Sequence, residues 1–559
     1  MANSEKKAAT SGARFETMND IFKSSIEKFG DRDLFGTKKD GTWHWTKYKE
    51  FGGMVDSFRG ALADLGVKRG DIVAIISDNR VEWAVTAYAS FGLAAALVPM
   101  YEAMLEKDWE FIAKDCGAKI LVVAKKDILE KTKKFFDSVP TLKHIICLDD
   151  VDDTEGGTQK VHGYAKLITA GKKAAIVETK KEDTACLIYT SGTTGSPKGV
   201  VLSNNNLASN VSAVHEIFEM TDDDRSLSFL PWAHSFGQTC ELHALFSNGA
   251  SIGICESVSK IIDNLAEVQP TLLFSVPRIF NRLYGAVQKQ ISEKPGVVQA
   301  MVRSALAAAK KQREGGTLSF GEGIVLGLAN RIVFTKVRAR FGGRLKFAFS
   351  GGAAISREVA EFIDGIGVMV YEGYGLTETS PISTANWPGS RKIGSVGKAI
   401  PGVKIEIDPN QTGGKKPEPG RVEGEIIVHG PNVMQGYHNR KEENDAVFTK
   451  DKGFRTGDMG YLDKDGFLYI TGRIKEQYKL ENGKYVVPTP LEEELKLSPF
   501  IANVMVYGDN KPHNVALVVA NVDAVKKQTG ASASGDDLMK DPKVVDLIKG
   551  EIAKYGEKF

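Results

Sequence analysis

Cysteine is scarce in this chain. The 559 residues hold five, Cys116, Cys147, Cys186, Cys240 and Cys255, at spacings that match no metal-ligand pattern. An odd, scattered set builds no disulfide framework and fits the reduced thiols of a cytoplasmic protein. Excess charge is lacking too: 73 Lys and Arg against 71 Asp and Glu leave a formal net charge of +2. No global field therefore draws the chain to nucleic acid, and none is expected as a partner. The start, "MANSEKKAATSGARFETMNDIF", has no apolar core behind its charges and does not read as a secretory signal. One stretch, the nineteen residues "WAVTAYASFGLAAALVPMY" from Trp83 to Tyr101, carries no charge. That length would span a bilayer. Its Ala, Thr, Ser, Gly and Pro content predicts instead a buried helix running into a strand, in a soluble protein.

What is present is enough for large cores: 42% hydrophobic and 26% charged residues are ordinary for a globular chain. At roughly 150 residues per domain the length allows three or four units. Short apolar runs such as "DIVAIIS" (71–77), "KILVVA" (119–124) and "HIICLD" (144–149) alternate with helical patterns such as "DWEFIAKDCG". The alternation resumes with "SIGIC" (251–255), "TLLFSVP" (271–277), "LKFAFSGG" (345–352) and "VMVYEGYG" (368–375). It predicts an α/β fold with largely parallel sheets. The expected organisation is a large region over 15–393, in two α/β subdomains, interrupted by an Ala- and Lys-rich helical insertion at 286–344. A small β-rich unit follows at 394–473, and an α+β domain at 474–559. That last domain holds a hairpin over 503–520 and a helix opening at Asp541-Pro542.

Three stretches carry the chemistry. In "LIYTSGTTGSPKG" (187–199) a strand breaks into hydroxyls and glycines and ends in a lysine. A nucleotide-hydrolase P-loop needs four residues between its first glycine and a Gly-Lys-Ser/Thr triplet. Here Gly192, Gly195 and Lys198 are out of that register, and Gly199 rather than a hydroxyl follows the lysine. The P-loop is excluded, but phosphate chemistry is not. The glycines free backbone N–H groups to face a polyphosphate, while Thr190, Ser191, Thr193, Thr194 and Lys198 add hydroxyls and a cation. In "YEGYGLTETS" (371–380) Glu378 offers a hard oxygen ligand for magnesium, and Tyr374 a flat face for a purine. In "RTGDMGYLDKDGFLYITGR" (455–473) Asp458 falls in a turn, where it would accept from ribose hydroxyls, and Arg473 closes a strand. Taken singly, the first could also be a Gly-, Ser- and Thr-rich surface loop, the second a Gly-rich turn with a core tyrosine, and the third a solvated hairpin.

Together, in this order and spacing, "YTSGTTGSPKG", "YGLTET" and "GFRTGDMGYLD…GRIKE" closely resemble the adenylate-forming enzymes, the superfamily of acyl-CoA synthetases, luciferases and peptide-synthetase adenylation domains. The resemblance spans roughly 15–559 and is closest to the long-chain acyl-CoA synthetase branch, through "VPRIFNRLY" (276–284) and "VRARFGGRLKFAFSGGAAIS" (337–356). It implies a ligase that activates a fatty acid with Mg-ATP to an acyl-adenylate and pyrophosphate, then passes the acyl group to coenzyme A. It further implies that Thr190 to Lys198 hold the β- and γ-phosphates and that Thr190 and Glu378 serve Mg2+. Gly351, Gly352, Ala353 and Tyr374 would flank the adenine, Gly375 would belong to the same nucleotide site, and Thr377 would contact the α-phosphate. Asp458 and Arg473 would serve the ribose, His234 of "LPWAHSFGQ" the reacting carboxylate, and Lys475 the hinge between large and small domains. The expected catalytic set is His234, Lys198, Thr377 and Glu378.

Two departures qualify the match. Gln238 stands where some relatives have a tryptophan gate to the acyl tunnel, so no gate is carried over, and nearby Trp232 has no assigned role. The lysine loop that relatives carry near their C-terminus has no counterpart before Phe559, and the last domain reads as incomplete. Transfer to a carrier-protein pantetheine, or a non-catalytic acyl-nucleotide binder, stand as alternatives. A lipid-like substrate is compatible with peripheral contact at a membrane, although no basic amphipathic helix in the pattern compels it.

Overall fold

The computed structural model describes residues 15–153, 159–170, 173–190, 196–412, 421–482 and 484–556. An eight-stranded sheet runs in the order Gly436–Tyr437, Lys198–Ser203, Thr184–Thr190, Ala96–Met100, Ile72–Ile76, Ile120–Val123, His144–Cys147 and Lys160–Gly163. From Thr184–Thr190 onward its strands are parallel, while the first two are antiparallel additions. A second sheet orders Leu272–Ser275, Phe347–Ser350, Met369–Gly375, Ile382–Ala385 and Lys398–Ala399, its first three strands parallel. These strands are short, apolar and covered on both faces, which is why they read as continuous hydrophobic runs. The charge-free stretch resolves as expected. Helix Val81–Gly92 is buried at every position except Glu82, and Ala96–Met100 is a fully buried strand.

A third sheet was not foreseen. Asp33–Lys39 and Thr42–Lys47 form a hairpin whose first strand pairs in parallel with Ser251–Ile254. The local signal was present: Asp40-Gly41, both at positive φ (49° and 79°), makes the hairpin turn that Asp-Gly favours. The partner, more than two hundred residues away, left no local trace.

Four antiparallel strands, Lys404–Asp408, Gly424–His429, Phe454–Leu462 and Leu468–Arg473, follow. Beyond them lie the hairpin Ile501–Tyr507/Val515–Ala520 and helix Pro542–Gly556. Helices Pro277–Ser292 and Gly296–Arg313 pack on Arg357–Gly365, and Phe320–Ala329 packs on Gly296–Arg313, in one shared core. No described helix is long and apolar enough to cross a membrane.

One π-helical segment, Phe236–His243, carries a wall of the main cavity, and its anchor is a buried acid. Glu241 accepts from the hydroxyls of Ser226 (2.8 Å) and Ser228 (2.6 Å), and the indole of Trp232 donates to Ser228 (3.0 Å). Trp232 is thus a core residue packed on Phe35 and Trp83, and the position of the absent gate, Gln238, is likewise fully buried.

Burial pushes the Glu241 carboxyl up to about 8. The folded state therefore holds a proton that the unfolded chain loses above the ordinary carboxylate range. Its stabilisation is complete at low pH and is lost as pH rises toward 8. Glu241→Gln keeps the hydrogen bonds without the charge, so its stability relative to wild type should rise between pH 5 and 8. The slope is at most about 1.4 kcal/mol per pH unit, read by urea unfolding at stepped pH. A pH-independent difference would contradict it.

Candidate active site

A cavity of about 1040 Å³ opens where the eight-stranded sheet, the five-stranded sheet and the antiparallel unit meet. One end is polar. Thr190 ends its strand directly opposite Lys198 in antiparallel register, and both line the cavity. Ser191, Gly192, Thr193, Thr194 and Gly195 lie outside the described residues. Lys198 points into the cavity with its Nζ 3.5 Å from Glu443 and 5.6 Å from the centre of the Tyr437 ring.

The turn that carries Glu378 is built by close backbone packing. A Cβ on Gly375 would sit 1.7 Å from the carbonyl oxygen of Pro381, so only glycine allows the strand to fold back there. Gly375→Ala should cost about 3 kcal/mol of stability and disorder the turn, measurable as a lowered urea midpoint. An unchanged midpoint would show that the turn relaxes around the methyl group. Glu378 follows in the short 3-10 turn Thr377–Thr379. Its Oε1 accepts from the Tyr437 hydroxyl at 2.8 Å, and burial raises its carboxyl above the ordinary value. Thr377 is buried, its hydroxyl 3.4 Å from that of Ser235, so the turn is tied to the histidine-bearing segment.

His234 faces the cavity. The backbone N–H of Phe236 donates to its Nδ1 at 3.2 Å, and the surrounding protein lowers its proton affinity. The neutral ring then carries its proton on Nε2, the nitrogen left for a ligand.

The third motif differs from its expected form. Asp458 is not in a turn but within strand Phe454–Leu462, directly opposite Arg473 on Leu468–Arg473. The turn-like Thr-Gly-Asp is a kink inside the strand, with Gly457 at φ 72°. Asp458 is 3% exposed; one oxygen accepts from Tyr374 at 2.7 Å and the other pairs with the Arg473 Nε at 2.9 Å. Burial raises its carboxyl despite that partner. Arg473, Lys475, Tyr374, Gly375, Gly351 and Gly352 line the cavity, with Asp458 behind them. Ala353 is exposed on the loop beside Gly352. Lys475 is exposed in the 3-10 turn that leads out of the antiparallel unit.

The other end of the cavity is apolar, lined by Val214, Phe218, Phe236, Cys240, Phe274 and Phe349. Phe274 stacks on Phe349 with centroids 4.5 Å apart, and Phe218 meets Phe349 edge-on at 4.7 Å. These residues escaped the sequence reading, as did Tyr437, Glu443 and Ser235. Phe274 and Phe349 sat inside strand runs already recognised, and an alternation of facing residues would have flagged them. Tyr437 and Glu443 carried no local signal. The described residues hold no cluster of three or more His, Cys, Asp or Glu that would cage a metal. Glu378, buried at the polar end, is the residue there that could hold an ion such as Mg2+, which binds through one or two carboxylates together with waters and substrate phosphates.

A polar end bearing Thr190, Lys198 and Glu378 and an apolar end of phenylalanines share one cavity. Residues 22–438 match the AMP-binding enzyme family and residues 475–546 match the AMP-binding enzyme C-terminal domain. The chain belongs to the AMP-binding enzyme family. It is similar to the long-chain-fatty-acid–CoA ligase FadD15 of Mycobacterium bovis, at 32% identity over 534 residues, 92% of this chain and 84% of that one. It is also similar to the peroxisomal long chain acyl-CoA synthetase 7 of Arabidopsis thaliana, at 28% identity over 97% of this chain and 79% of that one. Among solved structures, the A-PCP didomain of carboxylic acid reductase from Segniliparus rugosus in complex with AMP shares the fold. Its TM-score is 0.78 at 20% identity, covering 98% of this chain and 76% of that one.

Proposed function

We propose that this chain is a long-chain fatty-acid–CoA ligase. The carboxylate oxygen of the acid attacks the α-phosphorus of ATP, the bond to the β-phosphate oxygen breaks, and pyrophosphate leaves. The thiol of coenzyme A then gives up its proton, attacks the acyl carbonyl and displaces AMP. The observation that carries this reading is the continuity of one cavity from Lys198 and Glu378 at its polar end to the aromatic wall of Phe218, Phe274 and Phe349. The ligase names of the relatives in Mycobacterium bovis and Arabidopsis thaliana support the same substrate class.

Two anions meet in the first step, so neutralising and aligning charge is most of the catalysis. Lys198, with Thr190 and residues 191–195, holds the departing β- and γ-phosphates. Thr377 orients the α-phosphate. His234, neutral with its proton on Nε2, donates to the acid and fixes which oxygen faces phosphorus. Tyr374 and Gly351 to Ala353 border the base. Asp458 acts on the ribose together with Arg473, whose guanidinium pairs with this buried carboxylate. Glu378 and Thr190 would hold Mg2+, which supplies positive charge to the phosphates. Lys475, in the turn between the antiparallel unit and the last domain, serves as the hinge, which needs only a few residues that absorb backbone rotation.

Pyrophosphate exchange with acids of graded chain length, followed by assay for CoA thioester, tests the proposal. Long-chain acids should support both. Exchange without thioester would point to a carrier-protein acceptor, and no exchange with any acid to a non-catalytic binder.

A further inference from the structure

Helix Phe320–Ala329, "FGEGIVLGLA", is apolar on every side and yet lies at the surface. Val325, Leu326 and Ala329 turn inward to the core shared with the neighbouring helices. Phe320, Ile324 and Leu328 are 88%, 47% and 47% exposed, and Ile332, at 48%, extends the row at the same four-residue spacing. Exposed Gly321, Gly323 and Gly327 fill the space between them. The single acid, Glu322, is engaged by Lys311 and by the backbone of Ser319. A helix apolar all round belongs in an interior unless something covers its free side, and an exposed face of this kind marks a docking surface.

Charge identifies what covers it. Residues 293–346 contain eleven Lys and Arg against three Glu, a net +8 in a chain whose total is +2. Arg331, Lys336, Arg340 and Arg344 are exposed and make no ion pair among the described residues. Lys336 and Arg340 continue the row that begins at Phe320. We infer that this face is a docking site for an anionic lipid bilayer, with Phe320, Ile324, Leu328 and Ile332 entering the acyl boundary and the following cations meeting the headgroups. A ten-residue helix is too short to span and lies in the interface. A second copy of the chain fits poorly, because a two-fold contact would set these cations against their own copies. A lipid surface is also where a long-chain acid partitions.

The test is co-sedimentation of the full chain with phosphatidylcholine vesicles and with mixed phosphatidylcholine–phosphatidylglycerol vesicles, without ATP, acid or CoA. Failure here is then separate from failure of the ligase reading. Wild type should bind the mixed vesicles at least about tenfold more tightly, and salt should release it. The variant Phe320→Ser, Ile324→Ser, Leu328→Ser should lose about tenfold or more on both. The variant Arg331→Glu, Lys336→Glu, Arg340→Glu should lose about a hundredfold or more on the mixed vesicles only. Both should keep wild-type pyrophosphate exchange with a water-soluble acid, which verifies folding. Wild type that stays in the supernatant, or apolar variants that bind as well as wild type, would overturn the inference. So would a wild-type dimer that the Ser variant dissolves with no vesicle binding.

Discussion

Lys198→Ala should lower pyrophosphate exchange by about 10²–10³-fold, the loss seen when one preorganised donor to a developing charge is removed. Thioester formation from supplied acyl-adenylate should stay within about threefold. The asymmetry follows from where the lysine sits. It is fixed by strand register opposite Thr190 at the polar end of the cavity, where the proposed reaction releases pyrophosphate, and the second half-reaction contains no pyrophosphate. Its resting partner is Glu443, on the short helix Lys441–Val447, which holds the ammonium near the cavity without enclosing it. Glu443→Gln separates the two roles. If the ion pair only parks the lysine, exchange in that variant stays near wild type. If the pair builds the wall, both variants lose activity and stability together. Equal losses by Lys198→Ala in both half-reactions would end the assignment.

How legible these features were depended on the range of the contacts behind them. The parallel strands Ile72–Ile76, Ile120–Val123 and His144–Cys147 were plain because burial on both faces leaves an unbroken apolar run. Lys198 and Glu378 were readable because short motifs carry both the residue and the glycines that shape its turn. Asp458 was placed in a turn because Thr-Gly-Asp has turn composition, yet pairing with Gly424–His429 on one side and Leu468–Arg473 on the other holds it in a strand. Tertiary pairing overrode local preference. Tyr437 reaches Glu378 only because Gly436–Tyr437 adds to the edge strand Lys198–Ser203, a pairing with no local signature. The helix Phe320–Ala329 lies inside the segment 286–344, expected as a helical insertion. Its apolar composition could not say which side would find a partner.

Glu378→Gln should also reduce exchange by about 10²–10³-fold, without loss of fold stability. The amide oxygen can still accept from the Tyr437 hydroxyl, so the turn Thr377–Thr379 keeps its tie. What disappears is a charge that burial already disfavours, and removing a desolvated charge from a folded protein is neutral or stabilising. Activity should therefore fall with no fall in stability, which a merely structural role would not produce. The pH profile gives a second sign. Burial raises the Glu378 carboxyl above its ordinary value, so wild-type exchange should fall on the acid side as that group takes up a proton. The Gln variant, having nothing to protonate there, should lack that limb. Glu378→Asp, which keeps the charge on a shorter arm, should recover part of the exchange and require more magnesium to do so, as expected of a carboxylate that shares a cation with substrate phosphates. A Gln variant with wild-type exchange, or one that loses activity only in step with its urea midpoint, would remove Glu378 from the phosphate-facing site.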